Sequence, residues 1–204
     1  MSRMIENPET YFRQFIPERN DLLLELEAEA RLEAIPIVGP VAGELLFLLV
    51  RAMRADKILE LGTATGYSTI YLASACSSSK ARVVSIEKNP KLTERAQINF
   101  RKAGLNDRIE IRLGDARDEL MKMKGPFDLI FMDIDKADYA SVLRQCRRLL
   151  RKGGLLVIDN VGFVESDGFN QAIFNHPDWK SVHLLTFLPL HSPEKDGLCL
   201  ALRI

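Results

Sequence analysis

Between Lys57 and Ile158, short apolar runs alternate with helix-length segments. That alternation restricts the fold more than any other feature of the chain. Ile58–Leu61 (ILEL), Arg82–Glu87 (RVVSIE), Ile109–Leu113 (IEIRL), Phe127–Met132 (FDLIFM) and Leu155–Ile158 (LLVI) read as strands. FDLIFM is nearly all apolar, as a parallel strand buried on both faces should be. The intervening segments read as helices over Gly66–Ala75, Pro90–Ala103, Asp115–Met121 and Ala137–Leu150. Asn89 can cap the second of these and Gly104 can end it. Gly153-Gly154 punctuates the last. A short helix over Asp167–Asn175 follows. Trp179–Leu188 and Leu198–Ile204 then read as two more strands, joined by PLHSPEKDG as a hairpin at the sheet edge. Successive β-α units with right-handed crossovers predict an α/β fold, a doubly wound and mostly parallel sheet of seven strands.

Ahead of the sheet, Met1–Leu32 is charged and reads as helical in its second half, where Leu22, Leu23, Leu26 and Ala30 recur at near-helical spacing. Ile35–Pro40 is a loop, because Pro36 and Pro40 interrupt any helix. Pro40 suits the first turn of the next helix, Val41–Arg54. The 204 residues fit a single domain, with residues 1–34 as an appended helical segment that could cover the sheet or a partner subunit.

Lys and Arg number 28, as do Asp and Glu. This balance offers no general attraction to nucleic acid or to an anionic membrane. The longest greasy run, Leu45–Val50, is far shorter than a membrane span, and the first residues contain no apolar signal core. The three cysteines, Cys76, Cys146 and Cys199, are far apart and form no C-x-x-C. They read as buried thiols in a reducing compartment, so the expectation is a cytoplasmic protein. His176, His183 and His191 lack metal-ligand spacing and read as surface or packing residues. Arg144, Arg147, Arg148, Arg151 and Lys152 sit at one helix end, where cations suit the helix dipole.

The chemistry gathers where strands end. In KILELGTATGYS a strand runs into a turn bounded by Gly62 and Gly66 and then into a helix, whose unpaired N–H groups face whatever the turn holds. The spacing is Gly-x-x-x-Gly, not the G-x-G-x-x-G of a nicotinamide-binding turn. Glu87 ends the second strand, where an acid can accept from both ribose hydroxyls of a nucleoside. Gly114-Asp115-Ala116 follows the third, where an adenine edge would lie. Asp133 ends the fourth strand and Asp159-Asn160 the fifth. Two carboxylates and an amide oxygen make a hard, all-oxygen site suited to Mg2+, Ca2+ or Mn2+. Lys136, three residues after Asp133, is placed to take a proton beside such a cation.

Together ILELGTATGYS, SIEKNP, LGDA, FDLIFMDIDKADY and VIDNV resemble the metal-dependent O-methyltransferases that use S-adenosylmethionine. These include catechol O-methyltransferase, the caffeoyl-CoA enzymes and small bacterial relatives. The resemblance runs from about Ile35 to Val161 and returns in KDGLCLALRI. It implies a Rossmann-like class I methyltransferase fold with an N-terminal helical extension. It implies that Val38, Glu60, Gly62, Thr63 and Ser68 hold the methionine part of the cofactor. Glu87 would bind the ribose, and Asp115 and Ala116 would border the adenine. Asp133, Asp159 and Asn160 would bind the metal, with Asp133 also beside the methionine end and Lys136 as the base.

The implied acceptor is a small molecule with adjacent oxygens, such as a catechol or hydroxycinnamoyl compound, and the implied assembly is a homodimer. Two departures bear on the acceptor. Only Val161–Phe174 follows Asn160 where the family usually has a longer insertion, and Ile134 stands where some relatives carry an aromatic residue or histidine. The alternatives are a tRNA hydroxyuridine O-methyltransferase and a non-catalytic S-adenosylmethionine-binding module. The first is disfavoured by the absence of Lys and Arg from Val161–Trp179.

Overall fold

The computed structural model describes residues 2–204. Three helices come first: α1 (Pro8–Arg13), α2 (Asp21–Glu33) and α3 (Gly39–Met53). The alternating part runs β1 (Lys57–Leu61), α4 (Tyr67–Ala75), β2 (Arg82–Glu87), α5 (Pro90–Lys102), β3 (Ile109–Leu113), α6 (Ala116–Lys122), β4 (Phe127–Met132), α7 (Tyr139–Leu149), β5 (Leu150–Ile158) and α8 (Asp167–Phe174). The hairpin β6 (Trp179–Phe187) and β7 (Lys195–Arg203) follows.

The seven strands form one sheet in the order β3-β2-β1-β4-β5-β7-β6. The first five are mutually parallel, whereas β7 runs antiparallel to both β5 and β6. From β1 the chain winds outward to β2 and β3, then returns to place β4 on the other side of β1. The crossover helices therefore part at the carboxyl ends of β1 and β4, which opens a crevice there.

Side chains of the central strands alternate between two apolar layers, as the period of a strand requires. Ile58, Leu129, Phe131 and Val157 join α2, α3, α4 and α5 in one layer. Leu59, Ile130, Met132 and Ile158 join α6, α7 and α8 in the other. Sequence-coded caps set several helix starts: Asn89 accepts from the N–H groups of Lys91 and Leu92, Asn20 from that of Leu23, and Asp115 from that of Arg117. All three cysteines are buried and free. No helix among the described residues is long and apolar enough to cross a membrane.

Four local features differ from the expectation, the first being β7, which begins at Lys195 rather than Leu198 and so takes in the KDG read as part of the loop. A helix forms at Pro8–Arg13, inside a half-segment that carries no apolar periodicity; it buries none of its residues. β5 begins at Leu150, not Leu155, because the Arg151–Gly154 stretch stays within the strand as an irregularity in its pairing with β4. Gly154 is needed there, since a methyl group on it would lie 2.9 Å from the Asp128 carbonyl oxygen. A single 3-10 turn, Lys136–Asp138, precedes α7 and delays that helix to Tyr139. The basic cluster at the end of α7 and start of β5 makes structural contacts: Arg148 donates to the carbonyls of Leu120 and Met123 at 2.6 and 3.1 Å, and Arg151 to Asp128 at 2.7 Å.

Candidate functional site

β1 ends in a turn that only glycine can make. Gly62 has a φ of +95°, and a methyl group there would stand 1.9 Å from the Asp133 carbonyl oxygen. The two central strands are stitched at this level by the Asp133 N–H, which donates to the Leu61 carbonyl at 2.9 Å. Gly66 (φ +90°) starts α4 in the left-handed region, where L side chains are strained.

Glu87 fixes the shape of this turn. Its Oε2 accepts from the N–H groups of Thr63 at 3.3 Å and Ala64 at 2.9 Å, and its Oε1 accepts from Asn89 at 2.8 Å. Glu60, one residue before the end of β1, is completely buried. It accepts hydrogen bonds from the hydroxyls of Ser68 and Ser85, both at 2.6 Å, and of Thr69. Burial pushes its carboxyl up to about 7 even though those three hydroxyls stabilise the charged form. Asp115 behaves in the opposite way. It caps α6 and is pulled down to about 2 by the Arg117 guanidinium and backbone N–H.

At the ends of β4 and β5 lies a polar group. The half-buried Asp133 carboxylate has the Lys136 Nζ 3.7 Å away. Burial, reinforced by the nearby Asp159 charge, pushes Asp133 up to about 6. Asp159 is 1% exposed; its Oδ1 accepts from the Asn160 N–H at 2.8 Å. The Tyr139 hydroxyl donates to the Asp159 carbonyl at 3.0 Å. Asn160 donates its side-chain N–H to Asp196 at 2.7 Å. The Lys136 ammonium also stands over the Phe163 ring, 5.6 Å from its centroid.

One cavity of about 480 Å³ gathers nearly all the residues singled out in the sequence. Val38, Gly62, Thr63, Ser68, Glu87, Asp115 and Ala116 line it, together with Asp133, Lys136, Asp159 and Asn160. Glu60 does not. It lies beneath the wall and acts through Ser68, holding the first turn of α4 down on β1. The volume is ordinary for a small-molecule or cofactor site.

His191 corrects an expectation. Read from the sequence as a surface or packing residue, it lines this cavity with a side chain only 1% exposed. Its Nε2 lies 2.8 Å from Asp159 Oδ2 and its Nδ1 lies 2.6 Å from the Pro193 carbonyl oxygen. Both partners are acceptors, so each ring nitrogen faces an oxygen to which an N–H can donate. Burial is the largest single influence and lowers the His191 pKa, but the Asp159 carboxylate, the Pro193 carbonyl and the Asp133 charge together hold it above the ordinary histidine value. No local sequence signal marks His191, because its partner is 32 residues away. Asp196 was visible only as part of KDGLCLALRI. Among the described residues, no group of three or more His, Cys, Asp and Glu side chains is arranged to hold a metal ion.

A sheet of this order, with a glycine turn after β1 and an acid after β2 around one cavity, defines a class I S-adenosylmethionine-dependent methyltransferase. Within that class the chain belongs to the O-methyltransferase family, whose model matches residues 18–173. The catechol O-methyltransferase of Niastella koreensis is 39% identical over 167 residues, which are 78% of this chain and 75% of that enzyme. The O-methyltransferase of Bacillus cereus in complex with SAH superposes with a TM-score of 0.86 at 32% identity, covering 96% of each chain. TomG of Streptomyces achromogenes, involved in tomaymycin synthesis and solved in complex with SAM, gives a TM-score of 0.86 at 28% identity over 98% of this chain and 99% of that one.

Proposed function

We propose that this enzyme moves the methyl group of S-adenosylmethionine to one hydroxyl of a small acceptor with two adjacent oxygens, such as a catechol or hydroxycinnamoyl compound. A divalent cation at Asp133, Asp159 and Asn160 would assist, Mg2+ first among the candidates and Ca2+ or Mn2+ next. The observation that carries the reading is the meeting, in one cavity, of the glycine turn with an all-oxygen group at the ends of β4 and β5.

The residues fit such a cation by their chemistry. Asp133 and Asp159 place two acids close enough to raise one against the other, a repulsion that a hard cation relieves. Asn160 has its amide nitrogen committed to Asp196, which leaves its oxygen as the donor. A bound cation lowers the pKa of a hydroxyl that it polarises.

The chain's own residues supply the rest. Val38, Gly62, Thr63 and Ser68 cradle the methionine part of the cofactor, and Glu60 stiffens that cradle from below. Glu87 takes the ribose hydroxyls, and Asp115 and Ala116 border the adenine. Lys136 Nζ, as the neutral amine once its own proton has passed to solvent, accepts the proton of the acceptor hydroxyl. The resulting oxyanion forms its bond to the methyl carbon as the sulfur–methyl bond breaks, and the sulfonium becomes a neutral thioether. Holding both reactants in one cavity removes much of the entropic barrier. A homodimer is part of the reading, supported by the exposed aromatic cluster of Tyr11 and Phe12 on α1 and Phe15 just after it.

Methyl transfer to a panel of catechols, followed by mass spectrometry, tests this directly. Turnover should vanish with excess chelator and return with added Mg2+. Transfer that ignores the chelator would remove the metal from the reading. Cofactor binding without transfer to any catechol would remove the acceptor class.

Lys136→Ala should leave cofactor affinity unchanged and lower the maximal rate by about a hundredfold or more, the usual contribution of a positioned base. An unchanged rate at saturating acceptor would exclude Lys136 as the base.

A further inference from the structure

Both candidate oxygen donors at the end of β5 are held from outside by the β6–β7 hairpin. His191 lies in the loop between these strands, with its Nε2 2.8 Å from Asp159 Oδ2. Its backbone N–H donates to the Leu188 carbonyl at 3.0 Å and its second ring nitrogen meets the Pro193 carbonyl oxygen. The ring is thus fixed by its own loop. Asp196, on β7, accepts from Asn160 Nδ2 at 2.7 Å through one oxygen. Its other oxygen takes the N–H groups of Gly162 at 3.0 Å and Gly197 at 2.6 Å.

These bonds determine which atoms remain for a ligand. An asparagine amide can present either its oxygen or its nitrogen after a half-turn of its terminal bond. A carboxylate only accepts, so Asp196 draws the Asn160 nitrogen to itself and leaves the oxygen for the cavity. On Asp159, His191 and the Asn160 N–H occupy one lone pair on each oxygen, which fixes the plane of the carboxylate.

We propose that His191 and Asp196 are positioning residues through which the β6–β7 hairpin aims Asp159 and Asn160 at a divalent cation. The proposal rests on the metal reading given under the proposed function. It adds that metal affinity is set from a hairpin antiparallel to the strand that carries the donors, by residues that do not themselves bind the ion. Removing a group that orients a metal ligand typically weakens binding about 10–100-fold.

The test is Mn2+ binding, followed by the loss of the free-ion electron paramagnetic resonance signal, on protein saturated with S-adenosylmethionine. No turnover is needed. His191→Ala and Asp196→Ala should each raise the Mn2+ dissociation constant about 10–100-fold, while calorimetry shows cofactor affinity unchanged. His191→Gln, whose Nε2 can still donate to Asp159, should restore binding close to that of the parent protein. A folded H191A protein that binds Mn2+ as tightly as the parent overturns the proposal, as does an H191Q protein as weak as H191A. Should D196A fail to fold, the H191A and H191Q pair decides alone. If the parent protein binds no Mn2+ at all, the metal reading itself fails and this proposal falls with it, a result distinct from equal binding by parent and variants.

Discussion

Asp133→Ala should yield a folded protein that no longer transfers methyl groups. The carboxylate lines the same cavity as the glycine turn and the Asp159-Asn160 pair that follows β5, with Lys136 3.7 Å away. Its removal takes one of two carboxylates from the proposed cation and leaves Lys136 without its anionic neighbour. Loss of a Lewis-acid contribution of several kcal/mol corresponds to a fall in kcat/KM of about a thousandfold or more. Stability should move the other way. Burial and Asp159 raise the Asp133 pKa on folding to about 6. A carboxyl whose folded pKa is raised costs stability progressively as the pH climbs from its ordinary value to about 6 and in full above that, so at neutral pH its loss relieves the native state. Thermal unfolding at pH 7 should therefore place the D133A midpoint at or above that of the parent. Turnover within tenfold of the parent would remove Asp133 from the reaction. A much lower midpoint would show that the carboxylate is a structural tie.

Gly62→Ala should have the largest effect of any single methyl group added to the chain. A side chain at a φ of +95° is strained, and the new carbon would overlap the Asp133 carbonyl oxygen at 1.9 Å. Both surfaces are backbone at the ends of paired central strands, so neither can give way. Left-handed strain of about 1–2 kcal/mol joins an overpacking term of about 1–3 kcal/mol or more. The sum is a large fraction of a typical domain's stability. Gly104→Ala is the matched control: its φ is +68°, but nothing lies within 4 Å of the added methyl. Urea denaturation should show a clear loss for G62A and a small one for G104A. S-adenosylmethionine binding should fail in G62A alone. Equal midpoints for the two variants would mean that the close approach to Asp133 is relaxed at little cost.

Most of the architecture was legible because each strand of the parallel sheet is a short apolar run bounded by helix punctuation. β2, β3 and β4 lie where the sequence places them, and Asn89 and Asp115 cap the helices that follow. The cavity residues were legible for a related reason. They occupy strand ends, and the topology of an open parallel sheet brings those ends together whatever the intervening helices contain. What escaped is held by contacts remote in sequence. α1 buries nothing and is tied across the molecule by ion pairs from Arg13 to Glu194 and from Glu9 to Lys195, which no local periodicity can announce. His191 has its role only because the hairpin returns alongside β5. Glu60 was expected on the cavity wall, but as the penultimate residue of β1 it turns into the layer beneath Ser68 and Ser85. In that case strand alternation, rather than proximity in sequence, decides what faces the cavity.

The abutment of Gly62 on the Asp133 carbonyl also bears on how such an enzyme can diversify. The glycine turn and the end of β4 meet backbone to backbone at Gly62 and Asp133, with no adjustable side chain between them. In the proposed reaction, the spacing between the methyl donor and Asp133 is therefore inherited from the scaffold. Laboratory evolution toward new acceptors should find its tolerated changes away from that junction, at exposed Phe163, whose ring centroid lies 5.6 Å from Lys136 Nζ, where shape and polarity can be altered without moving the Gly62–Asp133 backbone. Libraries that randomise the Gly62–Asp133 junction should return the parent residues.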